Sequence, residues 1–214
     1  NEVEGSRPEG VAVWYLGCNG FVLRSSSTTL FVDPYLGDGF PPYVFRMIPV
    51  PFAPEDVTEC DGVFVSHEHV DHMHPPSFAP MLGDGAVVHG TEPCFEDPEY
   101  DGPPVPEADR SLVEAGDELR LGDFTVHVRA SNDPYAEGAV TYVFEHDAGT
   151  FFHAGDSMPS ADFEQVGAEF DIDVGAFAFG SRGNIYFPDD DAVREVDWYM
   201  DGTQVVQIAN QLGV

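Results

Sequence analysis

The feature that most limits what this chain can fold into is a cluster of histidines and carboxylates at residues 67–72, with the sequence HEHVDH. It directly follows residues 62–66 (GVFVS), an apolar stretch typical of a buried strand. The alternation of an extended strand end points the first two histidines the same way, and a turn brings the aspartate and the third histidine to a second position nearby. Imidazoles and carboxylates on one loop are the ligands that a borderline divalent cation such as Zn²⁺ or Mn²⁺ accepts, so one or two bound ions are predicted. The ligands predicted from this hexapeptide are His67, His69, Asp71 and His72.

Short strands separated by turns account for most of the remaining apolar pattern, because β-branched and aromatic residues are bounded by turn formers. The predicted strands cover residues 11–16, 21–24, 29–33, 62–66, 86–89, 118–121, 124–130, 139–146, 150–153 and 173–179. Residues 34–56 are rich in proline, glycine and aromatics, which predicts a long irregular loop. Short helical segments are predicted at residues 75–82 and 91–95. This order of elements favours two packed sheets with outer helices.

In the C-terminal part of the chain, the spacing of the apolar residues changes to that of a helix. The carboxylates of residues 189–191 suit a helix N-terminus by charge and capping. The buried face of this helix would carry Val193, Val196 and Met200. Gly202 is expected to break it, and Thr203 is expected to cap a second helix that ends at Gly213. The second helix would turn inward Val206, Ala209 and Leu212.

Four further segments are weak signals individually, but together with the hexapeptide they form a specific sequence pattern. They are residues 14–20 (WYLGCNG), 31–34 (FVDP), 139–144 (AVTYVF) and 152–157 (FHAGDS). With its hexapeptide after a buried strand, the chain resembles the metallo-β-lactamase fold superfamily, and these segments resemble the L-ascorbate-6-phosphate lactonase family within it. The resemblance implies an α/β (α+β) fold, a four-layer αββα sandwich formed by one domain over residues 1–214. It also implies a mononuclear or binuclear metal centre at one edge between the two sheets.

The resemblance implies two ligands beyond the hexapeptide. A Gly-Asp pair after a strand supplies a carboxylate that bridges both metals in the superfamily, and Gly155 with Asp156 matches that pair. Many relatives place a histidine after the strand that matches residues 124–130, whereas this chain has Asp133 there. A carboxylate at that position favours harder, oxygen-preferring metals such as Mn²⁺. Asp133 is equally well interpreted as a turn residue before Pro134.

The C-terminal end departs from the superfamily pattern. Members complete the metal site with a histidine on a strand that follows the last helix, and no such strand is predicted before Val214. We therefore expect a fold that lacks its final strand and helix, or a site that has lost one imidazole. The open sheet edge and apolar face that this would leave keep a homo-oligomer among the expected assemblies.

Five other polar residues are weaker candidates for the site. Asp33 ends the third predicted strand and is expected to orient a ligating imidazole, since carboxylates commonly do so. His153 is a weaker candidate for the same role. His74 is as well interpreted as a surface residue. Arg46 and Arg182 belong to predicted loops and are the candidates to bind a phosphate group.

The resemblance and the ligand set together predict an enzyme, a metal-dependent hydrolase. A hydroxide held by one or two cations attacks an ester or lactone carbonyl, and Asp71 orients this nucleophile or takes its proton. By resemblance, the substrate is a lactone or ester of a small phosphorylated sugar. Two alternatives remain open: another hydrolase on the same fold, such as a phosphodiesterase or thioesterase, or an acidic metal-binding domain without turnover.

The charge of the chain argues against two classes of binding partner. Asp and Glu number 39 against 8 basic residues, all of them arginine, and the formal net charge is −31. Such a field repels nucleic acid and anionic membrane surfaces. No apolar run reaches the ~20 residues that a membrane-spanning helix needs, and no signal-peptide pattern is visible. Three cysteines without Cys-x-x-Cys spacing fit reduced intracellular thiols, so we expect a cytoplasmic protein. The large excess of carboxylates and the absence of lysine suggest the salt-rich cytoplasm of a halophile.

Repulsion among the carboxylates predicts a stability that depends on salt. We expect the melting temperature to rise substantially from about 0.1 M to about 2 M KCl, because the Debye length falls from about 10 Å to below about 3 Å. Scanning calorimetry in KCl and in choline chloride checks this, and equal effects of the two salts indicate screening rather than specific cation binding. A melting temperature that does not change with salt would contradict the halophile interpretation.

Overall fold

The computed structural model describes residues 2–40, 44–180, 183–187 and 189–214. Its strands are β1 (Ala12–Gly17), β2 (Gly20–Arg24), β3 (Thr29–Val32), β4 (Gly39–Phe40), β5 (Val44–Phe45), β6 (Gly62–Phe64), β7 (Val88–Gly90), β8 (Arg110–Leu112), β9 (Glu118–Leu121), β10 (Phe124–Ala130), β11 (Val140–His146), β12 (Gly149–His153), β13 (Val174–Ala176), β14 (Gly183–Phe187) and β15 (Ala192–Val196). Most of them form two large sheets, with strand orders β1-β2-β3-β6-β7-β8 and β13-β12-β11-β10-β9. The other four form two small antiparallel pairs, β4 with β5 and β14 with β15.

The two large sheets pack face to face over a shared apolar core. Phe64 on β6 contributes from the first sheet, and its ring lies 5.3 Å from that of Tyr142 and 5.2 Å from that of Phe144, both on β11 of the second sheet. All three side chains are fully buried. Their removal from water is the main stabilising term for this layer, since apolar burial contributes about 25 cal/mol per Å².

Helices cover the outer faces of both sheets. They are α1 (Glu2–Gly5), α2 (Pro75–Phe78), α3 (Glu92–Glu96), α4 (Asp162–Glu169) and α5 (Gly202–Leu212). Phe78 of α2 and Phe95 of α3 join the cluster on the outer face of the first sheet, and Phe163 of α4 and Ile208 of α5 join the cluster on the outer face of the second. The predicted αββα layering is therefore confirmed. None of the described helices has the length and apolarity needed to cross a membrane.

The topology brings three strand ends to one edge of the sandwich. In the first sheet, β3 and β6 are parallel neighbours, so the residues that follow each of them leave the sheet at the same edge. Asp33 follows β3, and residues 67–72 lie a few positions beyond β6. In the second sheet, β12 ends at His153 and the chain turns through Gly155 toward that edge, where the Gly155 carbonyl accepts a hydrogen bond from Asn19.

The helix predicted from residues 189–191 onward is wrong. The structure has the antiparallel hairpin of β14 and β15 there, with Ile185 opposite Arg194. Val193 is 65% exposed whereas Met200 is fully buried, so they do not share a buried face. Cross-strand pairing and the β propensity of valine outweigh the helix-like charge pattern, and Asp191 adopts a positive φ in the turn instead of capping a helix.

The last helix is confirmed, with corrected ends and a corrected inner face. Asp201 is its N-cap, in a capping box with Gln204, so Gly202 begins the helix instead of breaking an earlier one, and Thr203 is not the cap. Gly213 closes it in the left-handed conformation, as predicted. The residues buried on its inner face are Ile208 and Leu212, whereas Val206 is 61% exposed.

The long loop and the cysteines also compare directly with their predictions. Of the predicted loop, the described residues 34–40 and 44–56 are largely irregular, but they contain the paired strands β4 and β5 and a 3₁₀ turn at Pro54–Asp56. All three cysteines, Cys18, Cys60 and Cys94, are free, which fits the expectation of reduced thiols.

A buried histidine in the first sheet makes the fold sensitive to acid. His89 is 4% exposed, stacks on Phe64 with ring centroids 4.5 Å apart, and neither ring nitrogen has a hydrogen-bond partner. Burial lowers the pKa of His89 from 6.5 to about 4. The unfolded chain therefore binds this proton more tightly than the folded chain, and stability is lost as the pH falls from about 6.5 toward 4.

We expect His89→Phe to reduce the acid sensitivity of the fold. The variant keeps an aromatic ring against Phe64 and removes the titrating group. Between about pH 7 and about pH 5, the parent chain should lose about 2 kcal/mol more unfolding free energy than the variant. Urea unfolding at both pH values measures this, and comparing the pH-dependent change cancels any packing difference. Equal losses in the two proteins would contradict the assignment.

Candidate metal centre

Two groups of histidine and aspartate side chains meet at the sheet edge described above. The first group is His67, His69 and Asp133, and within it one ligand atom from each residue lies within 4.8 Å of the others. His67 Nε2 is 2.9 Å from His69 Nδ1 and 3.9 Å from Asp133 Oδ2. The structure therefore brings Asp133 to the two histidines although 64 residues separate it from His69 in the chain.

Asp133 uses its two carboxylate oxygens differently. Oδ1 accepts a hydrogen bond from the backbone N–H of Tyr135 at 2.9 Å, as a turn residue does. Oδ2 is buried and has no hydrogen-bond partner, and it is the oxygen that faces His67. Burial raises the pKa of this carboxyl. The turn interpretation therefore applies to Oδ1, and Oδ2 remains a candidate metal ligand.

The second group shares His67 and adds His72 and Asp156. His72 Nε2 lies 3.5 Å from Asp156 Oδ2, and the His67 and His72 rings are 3.9 Å apart. Burial alone lowers the pKa of His72, but the carboxylates of Asp156, Asp33 and Asp71 outweigh this effect and raise it well above its usual value. Burial and the neighbouring His72 lower the pKa of His67.

Asp71 lies beside both groups and belongs to neither of them. Its Oδ2 is 3.9 Å from His72 Nε2, a longer separation than that of Asp156 from the same atom. The same oxygen accepts a hydrogen bond from the Cys18 thiol at 3.5 Å. Burial and then the charge of Asp71 raise the pKa of Cys18 to about 12, so this neighbour is a neutral thiol. The Asp71 carboxylate therefore faces the open side of the site.

Asp33 and Ser66 fix the orientation of the buried imidazoles. Asp33 Oδ2 accepts hydrogen bonds from His72 Nδ1 at 2.8 Å and from Ser66 Oγ at 2.6 Å. His72 therefore turns Nε2 toward Asp156. Ser66 Oγ also lies 2.9 Å from His67 Nδ1, which leaves Nε2 of that ring for the site. Burial would raise the pKa of Asp33, but the surrounding histidines lower it strongly.

Asn19 holds the loop that carries Asp156, a role that sequence reasoning missed. Its amide donates to the Gly155 carbonyl at 2.9 Å and to Asp156 Oδ1 at 3.4 Å. The Asn19 carbonyl is 2.9 Å from His153 Nε2. Gly155 has φ +56°, and a Cβ there would lie 3.0 Å from the Cβ of Ser66, so the close turn requires glycine. The signal in the sequence is the GCNG segment at residues 17–20, which is part of the family resemblance but does not by itself assign this role to Asn19.

Two cavities open on the groups of ligands. One of about 440 Å³ is lined by Asp71, His72 and Asp156, and one of about 320 Å³ by His69, Asp133, Asp71 and Asp156. Tyr199 lines both cavities, and Trp198 lines the smaller one. Burial raises the pKa of Tyr199, so its hydroxyl stays protonated. These two aromatics were not predicted as site residues because they fell in the helix that the structure replaces with a hairpin and a loop.

The weaker candidates have other contacts. His153 is fully buried, 3.8 Å from Asp33 Oδ2, and belongs to neither group of ligands. His74 bonds Ser77 Oγ at 2.6 Å and packs on Tyr35, so it is a structural residue at the start of α2. The Arg46 guanidinium donates to the backbone carbonyls of Leu16, Tyr35 and Ile48. Arg182 lies outside the described residues.

The family model for the beta-lactamase superfamily domain matches residues 28–210, which is most of the chain and includes every candidate ligand. The chain belongs to the beta-lactamase superfamily. This family implies a divalent metal ion at the site. The identity of that ion does not follow from the match.

Relatives support both the fold and the narrower resemblance. A curated relative from Escherichia fergusonii, named "Probable L-ascorbate-6-phosphate lactonase UlaG", is 25% identical over 226 residues, which cover 85% of this chain and 63% of the relative. The chain therefore spans less than two thirds of that protein's length. Two solved structures share the fold: Igni18, a metallo hydrolase from Ignicoccus hospitalis (TM-score 0.65, 16% identity, covering 94% of this chain and 78% of that chain), and the metallo-beta-lactamase fold protein YhfI from Bacillus subtilis (TM-score 0.56, 18% identity, 98% and 78%).

The two oxygens of Asp133 allow its roles to be separated. Asp133→Asn keeps an acceptor for the Tyr135 N–H and removes the charge that faces His67, so we expect the melting temperature to change little and the affinity for Mn²⁺ to fall about tenfold or more. Asp133→His, with a softer donor, should shift the preference from Mn²⁺ toward Zn²⁺. Calorimetric titration with each metal measures both effects.

Asp117→Asn is the matched control, because Asp117 also accepts a backbone N–H, that of Glu114 at 2.9 Å, and belongs to neither group. It should leave metal affinity unchanged. An affinity in Asp133→Asn equal to that of the control would remove Asp133 from the candidate ligands.

Proposed function

We propose that this protein is a metal-dependent hydrolase that cleaves a lactone or ester of a small molecule. The observation that carries the proposal is the pair of ligand groups sharing His67, with the Asp71 carboxylate beside them at the meeting point of two cavities. Membership of the superfamily and the 25% identity to a relative named as a lactonase support the same reaction class.

The residues present fit a divalent cation. Asp133 Oδ2 is a buried carboxylate oxygen without a hydrogen-bond donor, and such an oxygen is costly unless a cation or donor satisfies it. His67 and His72 each spend one ring nitrogen on Ser66 or Asp33 and leave Nε2 for the site. Mixed imidazole and carboxylate donors suit Zn²⁺ and, with this share of oxygen, Mn²⁺. We propose that one ion is held by His67, His69 and Asp133 and a second by His72 and Asp156, with the Asp71 carboxylate next to this pair.

A divalent cation at such a site lowers the pKa of a bound water and polarises a carbonyl oxygen. Asp71 is 25% exposed and lines both cavities, so its carboxylate is positioned to contact a water and a substrate together. We assign it the proton transfers. It accepts the proton of the attacking water as the new C–O bond forms, and it returns that proton to the alkoxide when the ester C–O bond breaks.

The substrate, partners and location are proposals as well. The lactonase resemblance suggests a phosphorylated sugar lactone as substrate. The charge of −31 supports a small-molecule substrate over nucleic acid or an anionic membrane, and it supports the salt-rich cytoplasm of a halophile.

Metal removal and three variants test the hydrolase. In Mn²⁺-loaded protein, a lactone should be hydrolysed, and EDTA should abolish the activity. His67→Ala combined with His69→Ala should remove one of the two ions together with the activity and leave the fold largely intact. Asp71→Asn should lower kcat by about 10²-fold or more, because the proton acceptor is lost. If Asp71 is mainly a proton acceptor, metal content in that variant falls by less than about half, whereas a ligand role lowers it in proportion to activity.

His146→Ala is the matched control, because His146 contacts Asp123 at 3.3 Å and lies in neither group of ligands. It should retain full activity. A phosphodiester or thioester hydrolysed at least about tenfold faster than any lactone would replace the lactonase proposal with one of its alternatives. Full metal loading without turnover of any of these substrates would favour a metal-binding domain.

A further inference from the structure

Aromatic side chains surround the openings of the two cavities. Among the described residues, five aromatic side chains are strongly exposed, and four of them line the cavities. Tyr15 and Phe179 are 59% and 66% exposed at the larger cavity, and Tyr135 and Trp198 are 57% and 39% exposed at the smaller one. Exposed aromatic surface concentrated around one site marks a place where apolar surface is bound.

The described walls of these cavities carry no arginine or lysine side chain. Both are lined by the carboxylates of Asp71 and Asp156, and the smaller one also by those of Glu99 and Asp133. The chain has no lysine, and Arg46, the arginine expected to bind phosphate, donates to backbone carbonyls instead. A phosphate group needs charge-assisted donors such as arginine, and the described walls supply none.

The cavity volumes match a small organic molecule. The values of about 440 Å³ and about 320 Å³ fall within the range of about 300–1,000 Å³ that ligand sites occupy. The rings of Phe21 and Phe177 also line the larger cavity, in addition to the exposed rings at its mouth. The aromatic side chains therefore present mainly apolar carbon to a bound molecule. The ester bond would lie against Asp71, and the remainder of the molecule against these rings.

We propose that the substrate is an uncharged lactone or ester that carries a flat apolar ring, packed against Phe179 and Tyr15 in the larger cavity. This inference rests on the proposed hydrolase function and refines its substrate class. It replaces the phosphorylated sugar that the resemblance suggests. The aromatic walls bind the ring, and the lack of arginine and lysine in the described walls disfavours a phosphorylated substrate.

Two matched pairs of lactones test the substrate class in the Mn²⁺-loaded 214-residue chain. Dihydrocoumarin against δ-valerolactone isolates the contribution of the aromatic ring, and gluconolactone against 6-phosphogluconolactone isolates that of the phosphate. We expect kcat/KM for dihydrocoumarin to exceed that for δ-valerolactone by at least about tenfold, and the phosphorylated lactone to react no faster than gluconolactone. A preference of about tenfold or more for the phosphorylated lactone would overturn the proposal, and its loss in Arg182→Gln would identify the phosphate ligand.

Single-residue variants test where the aromatic ring of the substrate binds. Phe179→Ala should lower kcat/KM for dihydrocoumarin by about tenfold, mainly through KM, and change δ-valerolactone by less than about twofold. Tyr186→Ala is the control, because Tyr186 is also strongly exposed, at 53%, and lines neither cavity. It should leave both substrates unchanged. Equal effects of the two variants would overturn the proposal.

A binding measurement separates this proposal from the hydrolase proposal. The unreactive lactam 3,4-dihydroquinolin-2-one is titrated while tryptophan fluorescence or ligand NMR is followed, and glucose 6-phosphate is titrated in parallel. If no lactone is hydrolysed, the hydrolase proposal fails, yet lactam binding that Phe179→Ala weakens still supports the apolar site. Absence of lactam binding overturns it. A dimer in sedimentation that Phe179→Ala dissociates also overturns it, because the rings then bind a second copy of the chain.

Discussion

Asp33 is a carboxylate without exposed surface, and it bonds both His72 and Ser66, the residue that orients His67. Its two oxygens accept from the Ser66 backbone at 2.8 Å, from the Ser66 hydroxyl and from His72, and His153 lies 3.8 Å away. A buried charge is tolerated only when it is paired and hydrogen-bonded, so the strands that supply these partners must assemble around it. Its φ of +41° is a conformation that aspartate adopts more readily than most residues. The ends of β3 and β6 are held together at this one carboxylate, and the end of β12 lies beside it.

The orientation of the histidines follows from these contacts. The ring nitrogen of His72 that bonds Asp33 is no longer available to a ligand, and the other nitrogen points to Asp156. Ser66 does the same for His67, whose Nε2 lies where the two ligand groups meet. Because His67 belongs to both groups, a substitution at this residue removes a candidate ligand from each of them. The buried imidazoles and carboxylates balance each other's charge, which raises the pKa of His72 and lowers that of Asp156.

The surroundings of the site differ from its interior. The interior has histidine and carboxylate donors suited to a cation, whereas the openings carry aromatic rings, and their described walls carry no arginine. Across the rest of the surface the charge is strongly negative. This combination favours a reaction in which a bound cation activates water while an uncharged, apolar part of the substrate supplies the binding free energy.

The sequence by itself determined the elements whose signals are local. The buried strand followed by HEHVDH, the glycine turn before Asp156 and the carboxylate after the third strand each depend on neighbouring residues, and all three lie at the same edge in the structure. The αββα layering followed from the resemblance that these motifs carry.

Other features depend on partners far along the chain, and only the tertiary structure decided them. The sequence leaves Asp133 open between a turn residue and a metal ligand, and only the fold places its second oxygen 3.9 Å from His67. Tyr199 lies at the cavities because β14 and β15 pair with each other instead of forming the predicted helix. Local charge favoured a helix there, but the pairing of β14 with β15 is a contact between segments that no local pattern encodes. Long-range packing therefore decided which side chains face the cavities. Local sequence indicated most of the histidines and aspartates that form the two groups of candidate ligands.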